Sequence, residues 1–352
     1  KTIKLGTKDH FQGPCIFNGR RGHETCQAGT GFGSSKSWLM SKIFISGHRG
    51  MVGSALVRAF EKQESKHELL LVSRGELDLL NQSSVADFIR SEQPDVVINA
   101  AAKVGGIHAN NSYPADFIYE NLLINTNLIH AAWENEVGRV LNLGSSCIYP
   151  RACEQPIKEE YLLTGPLEKT NEAYALAKIA GLEMCRHYRN QYGVLYHSAM
   201  PTNLYGPGDN YHGENSHVLP ALIRRFHEAK EAGSDEVMIW GTGKPRRELM
   251  HVDDLASGVL FLLEMKDPPD WVNLGTGTDH SILEIANLVK NTIGFEGIIT
   301  HDFDKPDGMP VKRLDVSLIN SLGWSSTTRL EEGIKSAYED FIAGLKSGMT
   351  RL

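Results

Sequence analysis

From Ser41 onward, short apolar runs rich in β-branched and aromatic residues alternate with stretches whose apolar residues recur at helical spacing. Lys42–Ser46 (KIFIS) reads as a strand, the next seven residues carry three glycines, and 54–63 reads as a helix. Further strand-like runs follow at 68–72 (ELLLV), 95–101 (DVVINAA), 140–143 (VLNL), 196–200 (YHSAM) and 271–277 (WVNLGTG). Most are continuously apolar and end in small or polar residues, the pattern of parallel strands covered on both faces whose carboxyl ends meet a ligand. The prediction is an α/β fold, a doubly wound parallel sheet with a smaller C-terminal α/β lobe for substrate. Residues 40–203 with roughly 246–275 form the nucleotide-binding part, and roughly 204–245 with 276–352 the substrate part.

Composition narrows this picture. At 352 residues, 41% hydrophobic and 22% charged, the chain has the profile of an ordinary globular protein with a sizeable core. With 36 Lys+Arg against 43 Asp+Glu it carries a net charge of -7, so nucleic acid is not an expected partner. The five cysteines (15, 26, 147, 153 and 185) show no paired metal-ligand spacing, so no metal is expected, and a reducing cytoplasm is the simplest compartment. No apolar run approaches the roughly 20 residues of a membrane span. Residues 1–39 lack periodicity; they are read as a non-native or disordered extension, with Met40 as the natural start, whose removal leaves activity unchanged.

The glycines stand at Gly47, Gly50 and Gly53, between a strand and a helix. In that context the spacing predicts a dinucleotide site of Rossmann type: Gly47 for the tight turn, Gly50 for close approach to the pyrophosphate, Gly53 for helix packing. His48, Arg49, Met51 and Val52 fill the same loop, and its amides face the anion. About 20 residues on, an NAD site would place an acid against the ribose 2′-hydroxyl. Ser73 and Arg74 stand there instead, and a guanidinium suits a 2′-phosphate, so NADP is the predicted cofactor.

Tyr174 and Lys178 lie four residues apart in an Ala- and Leu-rich stretch, on one helical face. An ammonium nearby is expected to favour the phenolate and bring the phenol closer to neutrality. Ser145, at the end of the 140–143 strand, can orient a carbonyl beside it. A Tyr and Lys at this spacing are common on helix surfaces; the strand-end hydroxyl behind a nucleotide-binding half is what gives them a role.

Together these residues resemble the extended branch of the short-chain dehydrogenase/reductase superfamily, and the likeness runs from about Ser41 to the C-terminus. AAAKVGGI (100–107), YPADFIYEN (113–121), GSSCIYP (144–150), PTNLYGPGDNY (201–211) and SHVLPALIRRFHEA (216–229) are similar to the GDP-L-fucose synthase family. The resemblance implies epimerisation of carbons 3 and 5 of GDP-4-keto-6-deoxy-D-mannose, reduction of its carbon 4 ketone with NADPH, and a homodimer joined by helices that include the Tyr174 helix. By residue type alone Cys147 is a small buried hydrophobe and His217 a loop histidine. The resemblance makes Cys147 the base and His217 the acid of epimerisation, with Ser145, Tyr174 and Lys178 serving reduction.

It further implies cofactor contacts from Leu143, Gly144, Ser145 and Ser146, from Pro201, Thr202, Asn203 and Leu204, and from Lys178 and His217. Arg225, Trp240, Arg247 and Asp307 fall where the family contacts the GDP-sugar; singly, each also reads as a surface charge, core aromatic or turn residue. Another nucleotide-sugar epimerase or dehydratase is the alternative, as is a noncatalytic NADP-sensing scaffold. The absence of an acid in Ser146-Cys147-Ile148 counts against a dehydratase, and the intact Ser, Tyr and Lys count against a scaffold.

Overall fold

The computed structural model describes residues 40–63, 67–213, 215–305 and 307–352. The expectations for residues 1–39 lie outside the described residues. Strand β1 (Lys42–Ser46) leads to α1 (Met51–Lys62), β2 (Glu68–Leu70), α2 (Gln82–Glu92) and β3 (Val96–Asn99). Helices α3 (Ile107–Ser112) and α4 (Pro114–Glu134) precede β4 (Arg139–Leu143), and α5 (Glu172–Tyr192) precedes β5 (Leu195–Pro201). Next come β6 (Asn203–Tyr205), α6 (Val218–Glu231), β7 (Glu236–Trp240), β8 (Arg246–His251), α7 (Val252–Glu264) and β9 (Trp271–Leu274). The chain ends with β10 (Asp279–Ser281), α8 (Ile282–Ile293), β11 (Ile298–Asp302), β12 (Val311–Lys312), α9 (Ser317–Leu322) and α10 (Leu330–Ser347).

Six strands form one sheet in the order β2-β1-β3-β4-β5-β9, every pair parallel. The period of two along β1 sends Ile43 and Ile45 to the face covered by α1 and α7, and Phe44 to the face covered by α2, α4 and α5. This is the doubly wound arrangement the continuous apolar runs predict. The winding reverses between β1 and β3, and in such sheets ligands bind beyond the strand ends at that point.

Boundaries moved where tertiary contacts decide them. The first helix starts at Met51 instead of Ser54, because Gly50 is its N-cap (φ -76°, ψ 167°). Strand β2 stops at Leu70 because its register against β1 runs out at Phe44, which frees Leu71 and Val72 to carry Ser73 outward. Strand β3 ends at Asn99, since Ala101 N–H turns away to donate to Ser46 Oγ at 3.3 Å.

Buried amides fix α5 against the sheet. Asn99 Nδ2 donates to Asn125 Oδ1 and to Asn142 Oδ1, both at 2.9 Å, and Asn125 Nδ2 donates to the Ala177 carbonyl at 2.9 Å. Gly181 permits this closeness, because a Cβ there would lie 2.7 Å from Asn125 Nδ2.

In the C-terminal part, β8 pairs with β6, β10 and β12, and β7 pairs with β11. Phe226, Ile239, Val289 and Phe341 belong to its core. The fully buried Glu248 of β8 joins it together, accepting from Thr276 N–H (2.6 Å), Gly277 N–H (2.8 Å) and Leu314 N–H (2.7 Å). Burial raises its pKa while these donors oppose the shift.

Candidate active site

Beyond the end of β1, Gly47 adopts φ +71°, and a Cβ on it would lie 2.9 Å from Ala101 Cα. A Cβ on Gly53 would overlap the Gly47 carbonyl oxygen and lie 2.6 Å from His48 Cα. Gly50 closes the turn, its N–H donating to Gly47 O at 2.9 Å, and no side chain caps the helix that starts at Met51. The result is a backbone hollow with unclaimed helix-terminal amides, which suits a pyrophosphate. Gly144 has the same character at the end of β4, where a Cβ would collide with Met200 Sδ. These residues fit a dinucleotide.

His48 lines the hollow with a lowered pKa, caused by burial first and by the Arg49 charge second. Arg49 and Arg74 are exposed at its rim. Glu76, which the sequence reading overlooks, accepts from Ser73 N–H (2.8 Å) and Oγ (2.6 Å), so the nearby acid is engaged locally. A Ser three residues before a Glu after a strand is the signal that could have found it.

Ser145 caps a short turn after β4, its Oγ accepting from Cys147 N–H at 3.2 Å. Helix α5 brings Tyr174 and Lys178 to the same place. Lys178 is buried, donates from Nζ to Leu143 O at 2.8 Å, and lies 5.8 Å from the centre of the Tyr174 ring. Burial lowers its pKa to about 8. The expected easing of Tyr174 ionisation is not what the structure gives. Burial raises the phenol pKa, proximity to Cys147 adds to the rise, and a hydrogen bond with Ser145 only opposes it. Lys178 is tied to a carbonyl and lies over the Tyr174 ring, and desolvation of the phenol is the larger effect. The phenol is thereby kept as a proton donor.

Lys312 Nζ stands 3.6 Å from Cys147 Sγ. It also helps to lower the pKa of His217, after the larger effect of burial. His217 is exposed to the lumen of the cleft. Lys312 was missed because a lone Lys in MPVKRLD has no signature; only the pairing of β12 with β8 brings it to the thiol.

Arg225 of α6 lies 5.0 Å from the ring centre of Trp240, which is 57% exposed at the end of β7. Arg247 donates from Nη1 to Arg246 O (2.7 Å) and Met309 O (2.6 Å). Burial lowers the pKa of both arginines, and among the described residues neither has a carboxylate partner. Asp307 is already occupied, accepting from Thr242 N–H (2.9 Å) and Oγ1 (2.7 Å) and so clasping its own loop to the turn after β7.

Residues 47–52, 74, 143–147, 174, 178, 201–204, 217, 225, 240, 247, 307 and 312, but not Gly53, line one cleft of about 1480 Å³. It joins a dinucleotide hollow to a proton-transfer centre and to two unpaired guanidiniums suited to a second diphosphate.

Comparison with known proteins bears on this geometry. Residues 43–275 match the family described as NAD dependent epimerase/dehydratase. GDP-L-fucose synthase 1 of Arabidopsis thaliana is 54% identical over 309 residues, covering 88% of this chain and 95% of that protein. GDP-L-fucose synthase of Escherichia coli K12 is 50% identical over 311 residues, covering 86% and 96%. The structure of a GDP-L-fucose synthetase from Naegleria fowleri bound to NADP superposes with a TM-score of 0.82 at 26% identity, covering 89% and 96%. The chain belongs to the NAD dependent epimerase/dehydratase family and, within it, to the GDP-L-fucose synthases.

Proposed function

We propose that the chain converts GDP-4-keto-6-deoxy-D-mannose into GDP-L-fucose, inverting carbons 3 and 5 and then reducing the carbon 4 ketone. The observation that carries this reading is the convergence of a thiol, an imidazole and a phenol on one cleft, with Ser145 bonded to the backbone of the first and to the side chain of the last. NADPH, when bound, supplies the hydride. The loop 47–53, with Arg49 and Arg74 at its rim, would hold it, along with 143–146, 201–204, Lys178 and His217.

Carbons 3 and 5 both lie α to the ketone, so removing a proton from either places negative charge on the carbon 4 oxygen. Ser145 and the protonated Tyr174 are the donors for that oxygen in the enolate, and again when carbon 4 is reduced and Tyr174 gives up its proton. Cys147, acting as its thiolate, takes the proton from carbon and is neutralised, and the Lys312 ammonium at 3.6 Å stabilises the thiolate beforehand. His217 returns a proton on the other side of the sugar ring. Arg225 and Arg247 hold the GDP diphosphate, Trp240 lies against the nucleotide sugar, and Asp307 orders the loop beside it.

In this reading 40–203 with about 246–275 serves the cofactor, and 204–245 with 276–352 serves the sugar. The chain works as a homodimer through α4 and α5, where Tyr119 and Leu176 expose apolar surface. Among the described residues no helix is long and apolar enough to cross a membrane. A reducing cytoplasm keeps Cys147, a free thiol, in its working form.

The test is incubation with GDP-4-keto-6-deoxy-D-mannose and NADPH in deuterated water. Loss of NADPH absorbance should accompany GDP-L-fucose labelled at carbons 3 and 5. Reduction without inversion would overturn the proposal.

A further inference from the structure

Nothing so far gives a role to the two glycines of the KVGGI string. We infer that the Gly105–Gly106 turn, held by Asn110, is the positioning element that aims His217 at the substrate. The inference rests on the reading of His217 as the epimerisation acid.

His217 stands directly before α6 in extended backbone (φ -75°, ψ 169°), and its side chain does not cap the helix. Among the described residues its ring has no hydrogen-bond partner. A working imidazole is commonly oriented through the nitrogen not engaged in chemistry. Without such a partner, its direction depends on the backbone that carries it.

That backbone is fastened from the side. Gly106 N–H donates to Asn215 O at 3.0 Å. The two segments lie so close that a Cβ on Gly106 would sit 3.0 Å from Ser216 O and 3.2 Å from Asn215 O. Gly106 has φ -65°, open to any residue, so glycine is required here by proximity and not by conformation. The receiving loop is tight: Asn215 N–H donates to His212 Nδ1 (3.3 Å) and Ser216 N–H to His212 O (3.2 Å). A push on Asn215 or Ser216 is therefore passed to the next residue, His217.

The turn is also anchored toward the phenol. Asn110, 7% exposed, donates from Nδ2 to Gly105 O (2.8 Å) and Gly106 O (3.0 Å). A Cβ on Gly105 would lie 3.2 Å from Phe117 Cζ, and the Phe117 ring meets Tyr174 edge to face at 6.3 Å between centres. One turn thus touches both the loop carrying His217 and the ring packed on Tyr174. It sets the spacing of two proton-transferring groups that share no hydrogen bond of their own.

The test is Gly106→Ala in the full chain. The added methyl must displace the 215–216 backbone by a few tenths of an ångström, and since a misplacement of about 1 Å can cost about a hundredfold, solvent exchange at carbons 3 and 5 should slow about tenfold. The loss should fall on the maximal rate and leave KM alone. NADP-dependent oxidation of GDP-L-fucose, which uses Tyr174 and needs no inversion, should be unchanged, as should NADPH affinity by fluorescence titration. Asn110→Asp is the second variant; it sets a carboxylate against two carbonyls and should show the same selective loss. Parallel falls in exchange, oxidation and NADPH affinity in both variants, or normal exchange in both, would overturn the positioning role. His217→Asn separates the two ideas: normal exchange in that variant removes the acid assignment itself, whereas lost exchange there with normal exchange in the turn variants removes only the inference about the turn.

Discussion

The cofactor hollow and the substrate wall face each other across one cleft and are built in opposite ways. The hollow takes consecutive residues, 47–53, and its working parts are backbone: a left-handed glycine, open amides and missing Cβ atoms. The wall collects side chains from positions 225, 240, 247 and 307. Its arginines are half-buried cations without carboxylate partners among the described residues, an arrangement that is costly until an anion arrives. The hollow should therefore fail sterically and completely, and the wall by degrees.

Gly53→Ala is the harshest test of the hollow, since the new methyl meets fixed backbone on several sides. Saturable NADPH binding should vanish in fluorescence titration. Gly50→Ala, whose Cβ meets only Gly47 O at 3.3 Å, should weaken binding far less. Equal losses would mean that the loop is too pliant for backbone fit to matter.

Between the two regions stands the proton-transfer centre. Tyr174→Phe should slow NADPH oxidation by about a thousandfold, within the range of general acid catalysis, while Cys147→Ser should abolish deuterium exchange and keep NADPH affinity. A near-normal oxidation rate in Tyr174→Phe would remove its role as donor.

On the wall, Arg247→Ala should raise KM for the GDP-sugar by about tenfold to a hundredfold, the worth of a charged hydrogen bond, with NADPH affinity unchanged. An equal loss of affinity for both ligands would break the division between hollow and wall.

The same contrast explains what was legible in the sequence. Strand runs and the Gly47, Gly50 and Gly53 spacing are local constraints, so they show in a short window of residues. Glu248 was not legible, because its three backbone donors come from positions 28, 29 and 66 residues away. Lys312 lies 165 residues from Cys147. The direction of the Tyr174 shift was misjudged because spacing reveals a neighbouring charge and says nothing of burial, which is the larger effect. Resemblance brought Cys147 and His217 into view, and Gly106 appeared only when its closeness to Ser216 could be measured.

Lys312→Gln gives the finest test, because Lys312 stands beside Cys147 and also acts on His217. Its positive charge disfavours the imidazolium, which is one reason the His217 pKa is lowered. Removing that charge favours the protonated ring and moves the pKa upward. If His217 must be protonated to donate, exchange at carbons 3 and 5 declines as pH rises through its pKa, and in Lys312→Gln that decline should begin at higher pH. The maximal rate should fall at the same time, since the sulfur loses the ammonium that balances its charge. Oxidation of GDP-L-fucose should keep its pH profile, because Tyr174 is governed by burial, Cys147 and Ser145. A slower exchange rate with an unmoved pH limb would separate Lys312 from His217 and leave it as a partner of Cys147 alone.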